Sequence, residues 1–314
     1  MPLRFSLRQL EYFQAVAEAG SIAAASQKIN VSSPSISAAI AQLEDEFGLQ
    51  LFVRKHAQGL SLTPGGARFL EQSRRVLGEA ATLITLANDV TGKVRGPLNV
   101  GCLLTFAQII LPRLRRAFVD RHPEVGFRQF EASQTELISG LRNASLDVVL
   151  TYDLDIPKDL RFTPLVTLPP YVLVAAAHPL ARLKQITPKD LSGLPMVLLD
   201  LPVSADYFLS LFEKGGPPPI AEKTRDIAVM QSLVANGFGY SLLNFRPTSD
   251  RSPDGKTLRY IPLKGPLRAL KLGLLQTTGA RPSLTVKAFA DHCAKWISAG
   301  SAPGLRLANE YGDV

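Results

Sequence analysis

The sequence predicts a mainly helical head carrying a helix-turn-helix, then one long helix, then an α/β remainder made of two sets of strand and helix units. Three observations predict it. Three short helical segments crowd residues 7–47, an unbroken helical pattern runs from Thr63 to about Val90, and beyond Pro97 short apolar runs alternate with amphipathic ones. The chain has 314 residues, 46% hydrophobic and 20% charged, which supplies packed cores and excludes a disordered chain. It holds no apolar run long enough for a bilayer, no secretory pattern in MPLRFSLRQLEYF and only two cysteines, so a cytoplasmic protein with no membrane partner is expected. The formal charge of +8 does not locate a nucleic-acid surface. Residues 1–95 carry 10 basic and 8 acidic side chains, net +2, and the other 25 basic and 19 acidic give +6.

In the head, LRQLEYFQAVAEAG, SIAAASQKI and SPSISAAIAQLEDEFG are the three helices, the last two separated only by Asn30, Val31 and Ser32. That is helix-turn-helix spacing. Ile36, Ile40, Leu43 and Phe47 stack on one face of the third helix, which turns Pro34, Ser35, Ala38, Ala41, Gln42 and Asp45 outward. Ser33 followed by Pro34 reads as an N-cap with proline at the first helical position. The first turn then offers free N–H groups to phosphate, small hydroxyls permit close approach to a duplex, and Gln42 can bond an adenine edge. An ordinary three-helix core with a polar face would look similar. The next stretch, GLQLFVRKHAQGLSLTPGG, adds a further mark: two short strands around a turn at residues 56–59, carrying Arg54, Lys55 and His56 as a basic wing.

Thr63 and Pro64 open the long helix. Phe69, Val76, Leu83 and Val90 recur every seven residues, as do Leu70, Leu77 and Ile84, with Ser73, Ala80 and Ala87 as small residues in the same seam. Three heptads favour pairing with another copy over packing on the chain's own domain. TGKVRGP, residues 91–97, is the natural linker. After it come PLNVGCL, FAQIILPRLRRAFVDRH, VGFRQFEA, TELISGLRNAS and LDVVLTY, which imply crossover units and a largely parallel sheet. A second set runs through YVLVAAA, MVLLD, DYFLSLFEK, MQSLVANG, YSLLN, LKLGLLQ and SLTVKAFADHCAKWISAG. The stretches 215–219 and 246–256 read as surface loops. No period of 20 to 50 residues recurs.

Enzyme signatures fail. Gly237-Phe238-Gly239 is not completed by a third glycine at Leu242, no Walker lysine occurs, and Ser241 in GYSLL lacks the closing glycine of a nucleophile elbow. His56, His122, His178 and His292 are scattered with no partner at zinc spacing, so no metal is expected. Cys102 and Cys293 can meet as a redox pair if they share a lobe, or else behave as small buried apolar residues.

These residues match a family. LRQLEYFQAVAEAGSIAAASQKINVSSPSISAAIAQLEDEFGLQLFVR, followed by LSLTPGG, resembles the winged helix-turn-helix of LysR-type transcriptional regulators. The likeness continues more loosely in GPLNVGC, LPRLRRAFVDRHPEV, AAAHPLA and VANGFGYSLL. It implies DNA contacts at Ser32, Ser33, Pro34, Ser35, Ser37, Ala38 and Gln42, with Arg54 in the wing, where the basic pattern read above adds Lys55. The family usually has Gln where Ser33 stands and often Arg where Ala38 stands, so the operator sequence does not follow from the resemblance. The resemblance also implies a dimer through Phe69, Leu70, Ser73, Val76, Leu77, Ala80, Leu83, Ile84 and Ala87, assembling further to a tetramer. The remainder resembles a periplasmic solute-binding protein, with lobe one at 94–166 and 267–300 and lobe two at 167–266. The head is then 1–62, the linker helix 63–93 and the tail 301–314.

A small-molecule effector is expected between the lobes, at strand ends and helix starts. Leu104, Thr105, Phe106, Ser133, Gln134, Thr135, Thr151 and Tyr152 are placed there from lobe one, and Leu201, Pro202, Val203, Ser204, Gly237 and Phe238 from lobe two. The hydroxyls at helix starts favour an organic anion such as a carboxylate. The alternatives are that they merely cap helices, or that a neutral or cationic ligand uses Asp153, Asp155 or Asp200. The expected function is a ligand-responsive DNA-binding regulator, with operator DNA, a second copy and RNA polymerase as partners and no cofactor. A solute-binding protein for transport is disfavoured by the missing export signal and the extra head, and a sequence-neutral architectural DNA protein has no use for a cleft. A metabolic enzyme lacks its constellation.

Overall fold

The computed structural model describes residues 4–55, 59–212, 216–279, 281–298, 302 and 304–306. The chain divides after Thr91 into two units. In the first, helices α1 (Leu7–Ala19), α2 (Ile22–Ile29) and α3 (Ser33–Phe47) precede strands β1 (Phe52–Lys55) and β2 (Gly59–Leu62) and the helix α4 (Pro64–Thr91). Leu10, Phe13, Val16, Ala25, Ile36, Ile40, Leu43 and Leu51 form the core on which all three short helices close. Phe47, expected on that buried face, lies at its rim with 43% exposure and packs its ring against Phe5 and Phe69. The start of α3 falls one residue earlier than expected. Ser32, in extended conformation, is the N-cap and accepts from the Ser35 N–H, while Ser33 is already helical and Pro34 sits in the first turn. Proline needs no N–H partner at either place, so its presence alone does not separate the two.

Strands β1 and β2 form the antiparallel pair of the expected wing. Gly59 opens β2 at φ +84°, and a Cβ there would lie 2.6 Å from the Gly20 carbonyl oxygen, which accepts from the Leu60 N–H at 2.8 Å. Only glycine permits that approach. The turn containing His56 lies outside the described residues. Helix α4 begins as expected, with the Gly66 N–H donating to Thr63 Oγ1 at 2.8 Å. Its apolar stripe has two fates. Leu70 and Ser73 are buried, with Phe69 and Leu77 packed on the head's core, whereas Leu83 is 70% and Val90 79% exposed.

The second unit runs β3 (Gly96–Leu103), α5 (Leu104–Arg121), β4 (Val125–Ala132), α6 (Gln134–Arg142), β5 (Val148–Tyr152), β6 (Leu160–Leu168), β7 (Tyr171–Ala175), β8 (Met196–Leu199), α7 (Ser204–Ser210), β9 (Ile220–Thr224), α8 (Ile227–Ala235), β10 (Ser241–Leu243), β11 (Arg246–Pro247), β12 (Leu258–Pro262), β13 (Leu270–Thr277), α9 (Leu284–Trp296) and β14 (Leu305–Arg306). One lobe is a five-stranded sheet in the order β4-β3-β5-β13-β6, and the other holds the β10-β7-β12 sheet and the β8-β9 pair.

The expectation of a largely parallel sheet needs correction. β3 pairs in parallel with β4 and β5, but β13 is antiparallel to both β5 and β6. In the other lobe β7 is antiparallel to both neighbours and only β8 and β9 run together. The reason is connectivity: β6 carries the chain out of the first lobe and β13 brings it back, so these two strands run opposite ways. β6, β9, β11, β12 and β14 were not among the expected strands. β6 is an edge strand interrupted by Pro164, where its register with β13 shifts. Within the stretch read as a surface loop, Arg246–Pro247 pairs with β14, and Ala302 and Leu305 near the end of the described chain are buried.

Candidate functional site

The outer face of α3 is exposed at Ser32, Pro34, Ser35, Ser37, Ala38 and Gln42, and half-buried at Ser33. Ser32 caps the helix, its hydroxyl lying 2.8 Å from that of Ser35, so part of the hydroxyl cluster at this start serves the helix itself. Gln42 is held from behind: Gln9 Nε2 donates to its Oε1 at 2.8 Å. The side chain of Glu44 reaches back to accept from the Leu51 and Phe52 N–H groups at 2.7 and 3.3 Å, which ties the wing to α3. Arg54 and Lys55 lie in β1 of that wing. Gln9 and Glu44 were not among the expected site residues. For Gln9 the signal was present, because Ser6 and Gln9 form a capping box in the S-x-x-Q pattern.

In the five-stranded lobe, β3 and β4 run parallel, so α5 and α6 begin at the same edge of the sheet. Their polar groups differ. At α6 the Ser133 N–H and hydroxyl both donate to Glu136 Oε2, at 2.9 and 2.6 Å, and these bonds hold the carboxyl below its ordinary range. Gln134 is buried, donates to the Leu154 carbonyl and accepts from the Thr151 hydroxyl at 3.1 Å, while Thr135 is exposed. Helix capping and core bonding thus occupy Ser133, Gln134 and Thr151.

At α5 the N-cap position is Leu103, which offers no side-chain bond, and Thr105 is 5% exposed with a hydroxyl that makes no hydrogen bond of normal geometry. Tyr152 lies beside it, its ring edge-on to Phe106 at 5.2 Å; burial pushes the phenol well above its ordinary range, and Thr105 pulls the other way. Leu104 is 39% exposed. With Gln108, Glu131, Arg225 and Asp226 it lines a cavity of about 480 Å³ where the two lobes meet.

The other lobe contributes a strained turn. Val203 stands at φ +68° and ψ −43°, and the Ser204 N–H donates to the Pro202 carbonyl at 2.8 Å, closing a three-residue turn at the start of α7. A β-branched residue in that region costs on the order of 1–3 kcal/mol, a strain typical of ligand clamps and switches. Leu201 and Ser204 are buried and Pro202 exposed. Gly237 and the half-exposed Phe238 lie beyond the end of α8. Of the acidic residues weighed as counter-charges, Asp153 already accepts from the Lys271 N–H at 2.7 Å and pairs with Arg268 at 3.3 Å. Two further residues tie the lobes to the crossing segments. Asn244 donates to the Leu168 carbonyl and to Tyr207 Oη, and Tyr207 donates to the Arg268 carbonyl at 2.6 Å.

Cys102 and Cys293 are free and buried in the same lobe, and burial pushes both thiols up, away from the reactive thiolate. His292 is buried and bonded to the Leu114 carbonyl at 3.0 Å. Among the described residues no cluster of His, Cys, Asp and Glu fits a metal ion, and no helix is long and apolar enough to cross a membrane.

Residues 7–67 match the bacterial regulatory helix-turn-helix of the lysR family, and residues 91–298 match the LysR substrate binding domain. The chain belongs to the LysR family of transcriptional regulators. This LysR-family regulator is 28% identical to the transcriptional activator protein LysR of Escherichia coli (strain K12) over 289 residues, 91% of this chain and 92% of that protein. HinK, a LysR family regulator from Pseudomonas aeruginosa, superposes with a TM-score of 0.63 at 34% identity, covering 94% of this chain and 99% of that one. Full-length CbnR complexed with its target DNA gives 0.67 at 26% identity over 93% and 99%. As a family member the chain is a ligand-responsive, DNA-binding transcriptional regulator: a helix-turn-helix joined to a mixed α/β substrate-binding domain of two lobes.

Proposed function

We propose that this regulator reads operator DNA as a dimer or tetramer and switches when a small organic anion binds at the start of α5, between the lobes. The observation that carries the effector reading is the Thr105 hydroxyl, buried and without a normal hydrogen bond at the uncapped start of an 18-residue helix. Free N–H groups and the helix dipole favour negative charge there. Phe106 and Tyr152 beside it, with Leu201 proposed from the other lobe, suit an effector with an apolar or aromatic body. The structure of full-length CbnR complexed with its target DNA supports operator binding, and the exposed outer face of α3 suits docking in the major groove, with Ser32, Ser33, Pro34, Ser35, Ser37, Ala38 and Gln42 on the duplex and Arg54 and Lys55 on the phosphates. We assign residues 1–62 to the head, 63–93 to the linker helix, 94–300 to the effector-binding part and 301–314 to the tail. Its chemistry is binding without catalysis, in the cytoplasm where the DNA is.

A thermal-shift screen of carboxylates against amines tests the effector. A carboxylate at 100 times its dissociation constant adds about 2.7 kcal/mol to stability; stabilisation by amines alone overturns the anion reading. For the assembly, Leu83 and Val90 are bare in the single chain and lie on the heptad stripe of α4. Leu83→Glu with Val90→Glu places charges in an apolar seam between two copies, so sedimentation should show monomers, and an intact dimer removes α4 as the main interface.

A further inference from the structure

The orientation of Gln42 is decided by a residue on another helix. The Ser6 backbone N–H, which can only donate, reaches Gln9 Oε1 at 2.7 Å, and the Ser6 hydroxyl donates to the same oxygen at 3.1 Å. These bonds identify the oxygen end of the Gln9 amide, so its other end is the donor Nε2. That donor faces Gln42 across the α1–α3 packing, at 2.8 Å from the end that must therefore be the acceptor, Oε1. A planar amide holds its two ends apart, so the Gln42 NH2 group points away from Gln9 on the exposed face of α3. The chain of constraint thus runs from a backbone N–H at the start of α1 to a side chain on the outer face of α3.

Glutamine reads adenine by using both ends of its amide at once, accepting from N6 and donating to N7. With Oε1 turned toward α1 and one of its two lone pairs taken by Gln9, the end presented to the groove is the NH2 group, a pair of donors. Its complement is an edge with two acceptors, which in the major groove is guanine, through N7 and O6. We propose that Gln9 is a positioning residue that sets the polarity of Gln42, so that this regulator selects guanine over adenine at one base of each half-site. The proposal rests on the reading of Gln42 as a base contact, and it replaces the adenine expected from residue type alone.

The test is selection of binding sites from a randomised duplex library by the full-length protein, followed by sequencing of the bound pool. The wild type should enrich guanine over adenine on the order of tenfold at one position per half-site, and Gln42→Ala should flatten that position alone. Gln9→Glu separates the proposal from its premise. Glutamate at this place keeps the capping box with Ser6, but it offers Gln42 an acceptor, so the Gln42 amide turns over to donate inward and presents Oε1 outward. The preference at that one position should then move to a base with a donor, adenine N6 or cytosine N4. Added negative charge near phosphate weakens binding evenly across sequences, and only the change of base reports polarity. Gln9→Met, which can neither donate nor accept through an amide, should leave guanine and adenine nearly equal.

Unchanged guanine preference in both Gln9 variants, with the position still flattened by Gln42→Ala, overturns the proposal and leaves Gln42 as a base contact. A pool unaffected by Gln42→Ala overturns the premise itself. A wild-type preference for adenine at the Gln42 position overturns the assignment of guanine.

Discussion

Helices α5 and α6 leave the same edge of one sheet, and their first turns are finished in opposite ways. At α6 the chain supplies its own anion, the Glu136 carboxylate, to the Ser133 hydroxyl and N–H. At α5 the position before the helix is the buried Leu103, and the Thr105 hydroxyl, inside the first turn, has no comparable carboxylate partner. Both stretches contain the same spacing, Ser133 with Glu136 and Thr105 with Gln108, but only in the first does the hydroxyl stand at the cap. A hydroxyl before the helix is consumed by the fold; one inside the first turn is left over. An open helix start is a binding opportunity, and a filled one is structure.

That contrast can be broken at both ends. The largest effect belongs to Thr105→Val, which should erase the stabilisation of about 2.7 kcal/mol given by a carboxylate at 100 times its dissociation constant. Without ligand the same change should move the melting temperature little, since valine replaces a hydroxyl without a hydrogen bond of normal geometry, beside the Tyr152 phenol, with a group of similar shape. A retained ligand response moves the effector site away from the start of α5. Ser133→Ala should do the reverse, lowering unfolding free energy by about 1 kcal/mol through loss of the cap while leaving the ligand shift intact; denaturant melts with and without carboxylate distinguish them. The smallest effect is that of Glu136→Gln, about 0.5 kcal/mol. Bonds from Ser133 hold the Glu136 carboxyl below its ordinary value of 4.5. Its contribution is therefore present above that value and is lost as pH falls through the depressed one. Melts of the Gln variant should lack this acid-side loss, and a variant curve parallel to the wild type down the acid limb would remove Glu136 from the cap.

How far this was legible in the sequence depends on range. The head was legible because its signals are local: the apolar spacing of Ile36, Ile40 and Leu43 is the buried face of α3, and Thr63 with Pro64 opens α4. The strands β3, β4 and β5 were legible for the same reason. The antiparallel half of the sheet was not, because β13 finds β5 and β6 through contacts that no short window contains. At the proposed effector site the sequence supplied the hydroxyls and amides but not their partners. Gln134 with Thr151, and Asn244 with Tyr207, are bonded across 17 and 37 residues. Each of those bonds removes a polar group from the pool available to a ligand, and spacing carries no trace of it. The strain at Val203 was equally hidden, since a valine in sequence predicts the opposite backbone region.

The double crossing between the lobes also fixes an order of assembly. Tyr152 has its β13 partner in Leu272, and Leu160 has its partner in Thr277, whereas β7 finds both its neighbours, β10 and β12, within the intervening stretch. As the chain leaves the ribosome, β3, β4 and β5 are made first but wait with an unpaired edge until everything up to β13 has emerged. The inserted lobe can close its own sheet while they wait. The part of the molecule that is synthesised earlier is therefore the part that is finished later, and its open edge during that interval is where a nascent chain of this kind is exposed to mispairing.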